Sequence, residues 1–408
     1  MGLFWRKKAQ IERERKKHTH KIICLYCFRS FSHDRVMFRA LHVLDADGYF
    51  AERDETLDRY RSRFGFGTAG EIETVLDPDD FAESSKRYFK GILVSLMDDY
   101  ENVTTRRVCP FCHNDISKDA GFAPTIIFAI TGAARAGKSI FFTCLIHHIR
   151  TVLPRHFASF CTPVGSETGR TFMHGLASPL LENGILPISA LLKEYPDMPL
   201  VFSFSAERSF DINIVFFDPA GDSAYMDIHN HLIRSAKGIM LLVDPLSIPV
   251  FGKELAEKND PDFDPLFFTE PVGDLGMMLL EYADDVPIAV VLTKTDLLNA
   301  LVHENEYFDS LSAVFENFCH GGHFDTSEYG EIDAEVHDFL ADVCPNFFNA
   351  LKRRFMGNLG FFGVSALGRR PVAGHVNDVN PVRIGEPFLW LLYSLGFFSN
   401  ELPGGEEV

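Results

Sequence analysis

Residues 132–139 read Gly-Ala-Ala-Arg-Ala-Gly-Lys-Ser and directly follow the apolar stretch 125–131. This spacing of glycine, lysine and serine is typical of a phosphate-binding loop. The apolar stretch predicts a buried strand, and residues 140–150 predict a helix whose N-terminus faces the phosphates. A strand, an anion-binding loop and a helix in this order favour an α/β fold. The alternative is a glycine-rich turn between two core elements.

The residue types in this loop predict the role of each position. Gly132 and Gly137 allow backbone N–H groups to turn inward around an anion. Lys138 reaches the β- and γ-phosphates, and the Ser139 hydroxyl is a ligand for Mg²⁺. The expected nucleotide contacts in this segment are Gly132, Ala133, Ala134, Arg135, Ala136, Gly137, Lys138, Ser139 and Ile140.

Length and charge restrict the class of protein. The 408 residues suffice for two or three domains, and the formal net charge of −18 argues against a general nucleic-acid-binding protein. The leader 1–21 is basic, which favours a solvated tail over weak peripheral contact with a membrane. No secretory signal or membrane span is visible, so we expect a cytoplasmic protein whose cysteines are thiols or metal ligands.

The chain divides into four predicted regions. The basic leader 1–21 precedes a cysteine module at 22–122, in which 28–108 is an inserted subdomain. Residues 123–398 form the nucleotide domain, and 399–408 form a flexible tail. Apolar runs in the nucleotide domain predict six strands in a mainly parallel sheet with helices on both faces. They are 125–131, 199–205, 210–217, 238–244, 287–293 and 359–365, the second and third antiparallel, and a helix follows at 386–395.

Two further motifs follow predicted strands. Asp218-Pro-Ala-Gly221 combines a carboxylate for Mg²⁺ with a Gly221 N–H for the γ-phosphate. In Thr293-Lys294-Thr295-Asp296 the Asp296 carboxylate can accept two hydrogen bonds from guanine, which adenine cannot donate, and the Lys294 stem can lie over the base. Turns and charged loops are the structural alternatives. Ser365 and Ala366 follow the last strand and offer backbone N–H groups to the guanine oxygen.

The succession of these motifs resembles the Ras-like, translation-factor-related (TRAFAC) class of P-loop GTPases over residues 124–398. The resemblance implies a three-layer α/β/α domain around a six-stranded, mainly parallel sheet. It also implies GTP and GDP as ligands, Mg²⁺ as cofactor and hydrolysis of GTP to GDP and phosphate. The family roles carry over to Gly132, Gly137, Lys138, Ser139, Asp218, Gly221, Lys294, Asp296, Ser365 and Ala366.

Two departures from the family pattern bear on catalysis. Thr293 stands where the family usually has Asn, and Asp222 stands where a water-orienting Gln or His is usual. The negative charge of Asp222 would be repelled by the γ-phosphate, so we expect slow hydrolysis or hydrolysis assisted by a partner. The candidate catalytic residues are Lys138, Asp222 and Arg135, the last as an internal positive charge.

Two Cys-x-x-Cys pairs bracket the amino-terminal module. Cys24, Cys27, Cys109 and Cys112 supply four thiolates, enough for one tetrahedral zinc site, although a single pair could be a redox motif. His113 follows the second pair and is expected to be a neighbour rather than a ligand. A split zinc-ribbon-like α+β module before such a GTPase domain resembles bacterial double-GTPase families, which are proposed to act in conflict systems with partner GTPases and adaptor proteins.

These observations lead to three functional hypotheses. The first is a regulatory GTPase that switches its interaction with a protein effector or a partner GTPase. The second is a nucleotide-dependent scaffold that hardly hydrolyses GTP. The third is a zinc-knuckle factor associated with nucleic acid, and the acidic composition counts against it.

Overall fold

The computed structural model describes residues 20–41, 51–63, 67–133, 135–186, 200–206, 212–217, 226–259, 279, 281, 283, 285–302, 308–316, 326–372 and 374–397. The predicted leader, except its last two residues, and the predicted tail lie outside these ranges.

The first part of the chain contains helix α1 (Glu55–Arg63) and short strands. The strands are β1 (Ile22–Ile23), β2 (Ser30–Phe31), β3 (Met37–Arg39), β4 (Ala51–Arg53), β5 (Glu71–Glu73), β6 (Val75–Leu76), β7 (Lys86–Phe89), β8 (Ile92–Met97), β9 (Val103–Thr104) and β10 (Arg107–Val108).

The short strands form four small antiparallel sheets. Strand β3 lies between β10 and β6, β8 lies between β7 and β9, and two-stranded sheets join β1 to β2 and β4 to β5. Phe38 and Leu96 lie in a core shared with three of the four knuckle cysteines. Such a small core is expected to need a staple such as a metal site. Because helix α1 accompanies antiparallel sheets, the module is α+β.

A seven-stranded sheet forms the centre of the second part. Its strands are β11 (Thr125–Gly132), β12 (Ser159–Pro163), β13 (Leu200–Ala206), β14 (Ile212–Phe217), β15 (Gly238–Val243), β16 (Ile288–Leu292) and β17 (Leu359–Gly363). Their order across the sheet is β12-β13-β14-β11-β15-β16-β17. Strands β14, β11, β15, β16 and β17 are parallel, whereas the β12–β13 and β13–β14 pairs are antiparallel. The predicted antiparallel pair is thus confirmed.

The sheet has seven strands where six were predicted, and β12 is the addition. It has five residues and lies at an edge, with Phe160 66% exposed between the buried Ser159 and Cys161. Pro163 ends it, as is common for edge strands. The buried face of so short a strand carries too few apolar residues to produce a recognisable alternation in the sequence.

Helices cover both faces of the sheet. One face packs against α2 (Lys138–Thr151), a π-helix (Thr171–Glu182) and α9 (Glu386–Ser394), through residues such as Phe142, Phe172 and Phe388. The other packs against α5 (Met226–Ser235), α6 (Pro249–Asn259), α7 (Thr326–Val343) and α8 (Pro345–Phe355), through residues such as Leu255 and Phe339. Two short helices, α3 (Leu153–Phe157) and α4 (Gly165–Arg170), flank β12. The architecture is a mixed α/β fold with three layers.

Strand alternation explains the two faces. Along β11, Ile126, Phe128 and Ile130 point into one core, and Ile127 and Ala129 point into the other. Strands buried on both faces read as continuous apolar runs, which is why they were visible in the sequence. None of the helices in the described ranges combines the length and apolarity needed to cross a lipid bilayer.

Candidate nucleotide and metal sites

Residues 132–139 connect the central strand of the sheet to its first large helix. Strand β11 ends at Gly132 and α2 begins at Lys138. A Cβ atom at Gly132 would lie 2.8 Å from the carbonyl oxygen of Leu242 on β15, so only glycine fits beside that strand. Gly137 has φ +86° and Arg135 has φ +67°. These left-handed conformations turn the backbone sharply into the helix. Ala134 lies outside the described residues.

The Lys138 side chain folds back over the loop. Its Nζ atom donates to the carbonyl oxygens of Gly132, at 3.0 Å, and Ala133, at 3.1 Å. The ammonium group is therefore held at the mouth of a loop that precedes a helix N-terminus, where an anion is favoured. Ser139 lies in the first turn of α2, half-buried, and its carbonyl oxygen accepts a hydrogen bond of 2.7 Å from the Thr143 hydroxyl.

The other residues predicted to contact the phosphates or magnesium come directly after β14. That strand ends at Phe217. Asp218, Gly221 and Asp222 lie outside the described residues, so the expected roles of these three residues stay predictions.

The Thr293–Asp296 segment makes direct contacts with the loop. It follows β16, and the hydroxyl of Thr293 lies 3.4 Å from the Ala136 carbonyl oxygen and 3.3 Å from that of Val243. Lys294 has φ +54°, and its Nζ atom donates to the Arg135 carbonyl oxygen at 3.2 Å. Two side chains thus connect this segment to loop residues that are 157 and 159 positions earlier in the chain.

Asp296 and Ser365 meet at the ends of adjacent strands. The Ser365 hydroxyl donates to Oδ1 of Asp296 at 2.6 Å. Burial raises the pKa of the Asp296 carboxyl, while the Ser365 hydrogen bond and the positive charge of Lys294 act in the opposite direction. The Ser365 N–H donates to the Val382 carbonyl oxygen at 3.2 Å. The sequence led us to expect this N–H to face the guanine oxygen instead. Ala366 follows and is half-buried.

A cavity of about 310 Å³ lies between the two motifs. This volume is near the lower end of the range for small-molecule sites. The cavity is lined by eight residues that we predicted from the sequence as nucleotide contacts: Arg135, Ala136, Gly137, Ile140, Thr293, Lys294, Asp296 and Ala366. The walls also include residues that sequence reasoning missed, namely Leu186, Leu246, Ala256, Leu367, Arg369 and Arg370. Most of the missed residues are apolar or lie in loops, where the sequence has no distinctive pattern.

Sequence reasoning also assigned no role to Asp244. It directly follows β15, its side chain is 1% exposed, and its Oδ2 atom lies 2.5 Å from Nζ of Lys294. A carboxylate at the carboxyl end of a strand in a parallel sheet is a signal that could have found it.

The four knuckle cysteines come together in one cluster. Sγ of Cys24 lies 3.6 Å from Sγ of Cys112, and Sγ of Cys27 lies 3.7 Å from Sγ of Cys109. All four sulfur atoms lie within 4.8 Å of one another. Tetrahedral zinc with bonds of about 2.3 Å requires sulfur atoms about 3.8 Å apart, so this cluster can hold a metal such as zinc.

The two knuckles have matching backbone geometry. Phe28 and His113, each four positions after the first cysteine of its pair, have φ +56° and +55°. The N–H of each donates to the carbonyl oxygen of that cysteine, at 2.8 and 2.9 Å. Asn114 Nδ2 also donates to Sγ of Cys112 at 3.3 Å. Such outer hydrogen bonds orient metal-binding thiolates.

His113 is held by a buried ion pair rather than by the sulfur cluster. Its Nδ1 atom lies 2.9 Å from Oδ1 of Asp54, and Oδ2 of Asp54 lies 2.7 Å from Arg39. Burial raises the pKa of the Asp54 carboxyl, but the Leu57 N–H, Arg39 and His113 outweigh this effect and the pKa is lowered. This network engages Nδ1 of His113, and the group of four cysteines that could hold a metal does not include this histidine.

Comparisons with known proteins give one relative at low identity. No protein-family model matches the chain. Over 310 residues it is 24% identical to the "Putative ESX-1 scaffolding and assembly protein SaeC" of Mycolicibacterium smegmatis. The alignment covers 71% of this chain and 80% of that protein. The chain is thus similar to a protein that is described as a scaffold.

Proposed function

We propose that this protein is a GTP-binding regulatory protein, with hydrolysis that is slow or assisted by a partner. The observation that carries the proposal is the convergence of two distant motifs on one cavity. Residues 135–137 of the loop and the segment Thr293–Asp296 are joined by side-chain hydrogen bonds, and both contribute to the lining of the same space. A phosphate cradle next to a carboxylate that can read a base is the arrangement a guanine nucleotide requires.

The proposal assigns Mg²⁺ to the Ser139 hydroxyl and the Asp218 carboxylate. Lys138 would leave the carbonyl oxygens of its own loop and pair with the β- and γ-phosphates. Arg135 stays the candidate for stabilising the developing charge. Asp222 stays the candidate for orienting the attacking water. The membership in the TRAFAC class and in the double-GTPase families, and the cytoplasmic location, are likewise part of the proposal.

Calorimetric titration of the full chain with GTP, GDP and ATP, with and without Mg²⁺, tests the proposal. We expect magnesium-dependent GTP binding at least about 10³-fold tighter than ATP binding, because a site built to pair with guanine leaves a mismatch unsatisfied with adenine. Lys138→Met is the variant that should lose triphosphate affinity. Lys352→Met, on α8 and outside both sequence motifs, is its matched control. Equal affinity for GTP and ATP would contradict the proposal.

A second candidate is a nucleotide-dependent scaffold. The similarity to a protein described as a scaffolding and assembly protein favours it, as does Asp222 where an uncharged water-orienting side chain is usual. In that case the bound nucleotide would stabilise one shape of the chain and turnover would be incidental. The partner would be a protein rather than nucleic acid, since the net charge is −18.

Single-turnover release of phosphate separates the two candidates. A regulatory GTPase should release phosphate within minutes to hours, and faster once its protein effector is added. A scaffold should bind GTP with the same affinity but release no phosphate above the rate of the Lys138→Met variant. Binding without any measurable hydrolysis would select the scaffold.

A further inference from the structure

Asp244 lies behind the wall of the cavity. It directly follows β15, and its Oδ1 atom accepts a hydrogen bond of 3.0 Å from the N–H of Leu246, which caps the 3₁₀ helix Pro245–Ser247. The hydroxyl of Ser247 donates to the Asp244 carbonyl oxygen at 2.7 Å. The carboxylate is thus held by its own turn and has a fixed direction.

The second carboxylate oxygen of Asp244 pairs with the ammonium group of Lys294. Oδ2 lies 2.5 Å from Nζ, and the same Nζ lies 3.2 Å from the Arg135 carbonyl oxygen. Lys294 lines the cavity and its side chain is 30% exposed, whereas Asp244 is not among the lining residues. Asp244 therefore acts on a molecule in the cavity only through its neighbours, of which Lys294 and Leu246 line the space.

We propose that Asp244 is a positioning residue for nucleotide recognition, and that it acts by holding Lys294 along the cavity wall. The inference rests on the proposed function. A lysine side chain has many rotamers, and its ammonium group is most stable in water unless a fixed charge holds it. The buried carboxylate supplies that charge, so that the stem of Lys294 is already extended beside the space where a base would lie.

The segments that follow β15 and β16 are connected without the ion pair between Asp244 and Lys294. Thr293 already bonds to Ala136 and to Val243 through its hydroxyl, and its N–H donates to the Val243 carbonyl oxygen at 2.9 Å. Burying a carboxylate is unfavourable unless the charge is paired. A buried charge at a place where the backbone is already joined therefore indicates a requirement on the position of Lys294 itself.

A double-mutant cycle on the full chain tests the inference, with GDP as the probe. Asp244→Asn keeps an oxygen for the Leu246 N–H but removes the charge that holds Nζ. We expect it to weaken GDP binding about tenfold, the lower end of the range for a hydrogen bond to a charged group. Lys294→Met keeps the stem, and adding Asp244→Asn to it should not weaken binding further.

Controls separate positioning from folding. Asp98 is another buried aspartate that accepts backbone N–H bonds in a turn, from Tyr100 and Asn102, and it lies outside the cavity lining. Asp98→Asn should lower the melting temperature of the nucleotide-free chain but leave GDP affinity unchanged. Asp244→Glu retains the charge and should restore part of the affinity, which also keeps the test decisive if Asp244→Asn folds poorly.

The outcomes are distinct for each claim. A loss of affinity from Asp244→Asn that is equally large with Lys294 or Met at position 294 would overturn the positioning role. Unchanged affinity in both Asp244 variants would overturn it too. If the unsubstituted chain binds neither GDP nor GTP, the proposed function fails and the positioning role falls with it.

Discussion

The Ser365 hydroxyl donates to Oδ1 of Asp296 at 2.6 Å, and the same Oγ atom accepts a 2.9 Å hydrogen bond from the Gly368 N–H. The hydroxyl group has one proton to donate, and the hydrogen bond from the Gly368 N–H fixes the direction in which that proton points. One oxygen of Asp296 is thereby held in place. The pair joins the segments that follow β16 and β17, at the carboxyl ends of two adjacent parallel strands.

Replacing Asp296 by Asn tests the base-reading role. The amide keeps one acceptor and gains a donor, which suits the N1–H and the 2-oxygen of xanthine but not the amine of guanine. We expect GTP binding to weaken by about 10- to 100-fold, the range for losing a charge-assisted hydrogen bond, and XTP binding to strengthen. Competition between labelled GDP and each unlabelled nucleotide measures both effects. Unaltered selectivity would remove Asp296 from the site.

The same substitution should stabilise the nucleotide-free chain. Burial raises the pKa of Asp296, so the folded state holds this proton more tightly than the unfolded state. The free energy of unfolding therefore falls as the pH rises from the ordinary aspartate pKa, about 3.9, through the raised value. At pH 7 the Asn variant avoids the buried charge and should need more urea to unfold. An Asn variant less stable than the parent at pH 7, yet folded, would contradict this.

Glycine substitutions in the loop should differ according to their surroundings. Gly132→Ala would place a Cβ atom 2.8 Å from the Leu242 carbonyl oxygen, and Gly137→Ala would force an L-residue into φ +86°. Each should lower the free energy of unfolding by about 1 kcal/mol or more and weaken nucleotide binding. Gly175→Ala, with open space around its Cβ position, is the control and should change unfolding by less than about 1 kcal/mol. Urea denaturation and GDP titration measure the two effects.

Removal of the metal should unfold the amino-terminal module. We expect one zinc ion per chain, and Cys24→Ala or Cys112→Ala should lose it together with several kcal/mol of stability, because the binding free energy of a structural zinc ion contributes to folding. Cys344→Ala is the control, since Cys344 lies outside the sulfur cluster. Metal quantification and thermal unfolding with a chelator give the result. Full zinc content in both knuckle variants would disprove this assignment.

His148 should make the stability of the α2 region depend on pH. Burial, followed by the charges of His147 and His156, lowers its pKa from 6.5 to about 4. The unfolded state therefore binds the proton first, and stability is lost as the pH falls from about 6.5 towards 4. The largest loss from this group is about 3 kcal/mol.

The His148→Gln variant checks this pH dependence. Between pH 7 and pH 4.5 its urea midpoint should fall less than that of the parent chain. The matched control is His337→Gln, because His337 lies on α7 and is partly exposed. Equal falls in the His148 variant and the parent would contradict the assignment.

The central sheet could be predicted because its strands are covered on both faces. The five strands β13 to β17 were located from apolar runs to within two residues at each end. β12 was missed because its five residues carry too few apolar side chains to form a recognisable run. The four cysteines and the loop at 132–139 were recognisable because their chemistry fixes both residue type and spacing.

The walls of the cavity could not be predicted. Leu186 and Ala256 are ordinary apolar residues, and only the folded chain brings them into the lining of the same cavity as Asp296. The role of the Ser365 hydroxyl is equally dependent on the fold, because it requires the ends of two strands that are 69 positions apart in the chain. Contacts between distant segments leave no local pattern, so the sequence can mark Asp244 as a carboxylate at a strand end but cannot pair it with Lys294.

The two knuckles also have a consequence for the order of events during synthesis. Cys27 and Cys109 are separated by 82 positions, so a ribosome must deliver the whole intervening segment before the fourth sulfur can join the others. Strands β3 and β10, which pair antiparallel, meet only at that same late stage. A chain interrupted before Cys109 would leave two thiols and one edge of β3 without their partners, and unpaired strand edges make incomplete chains prone to aggregate.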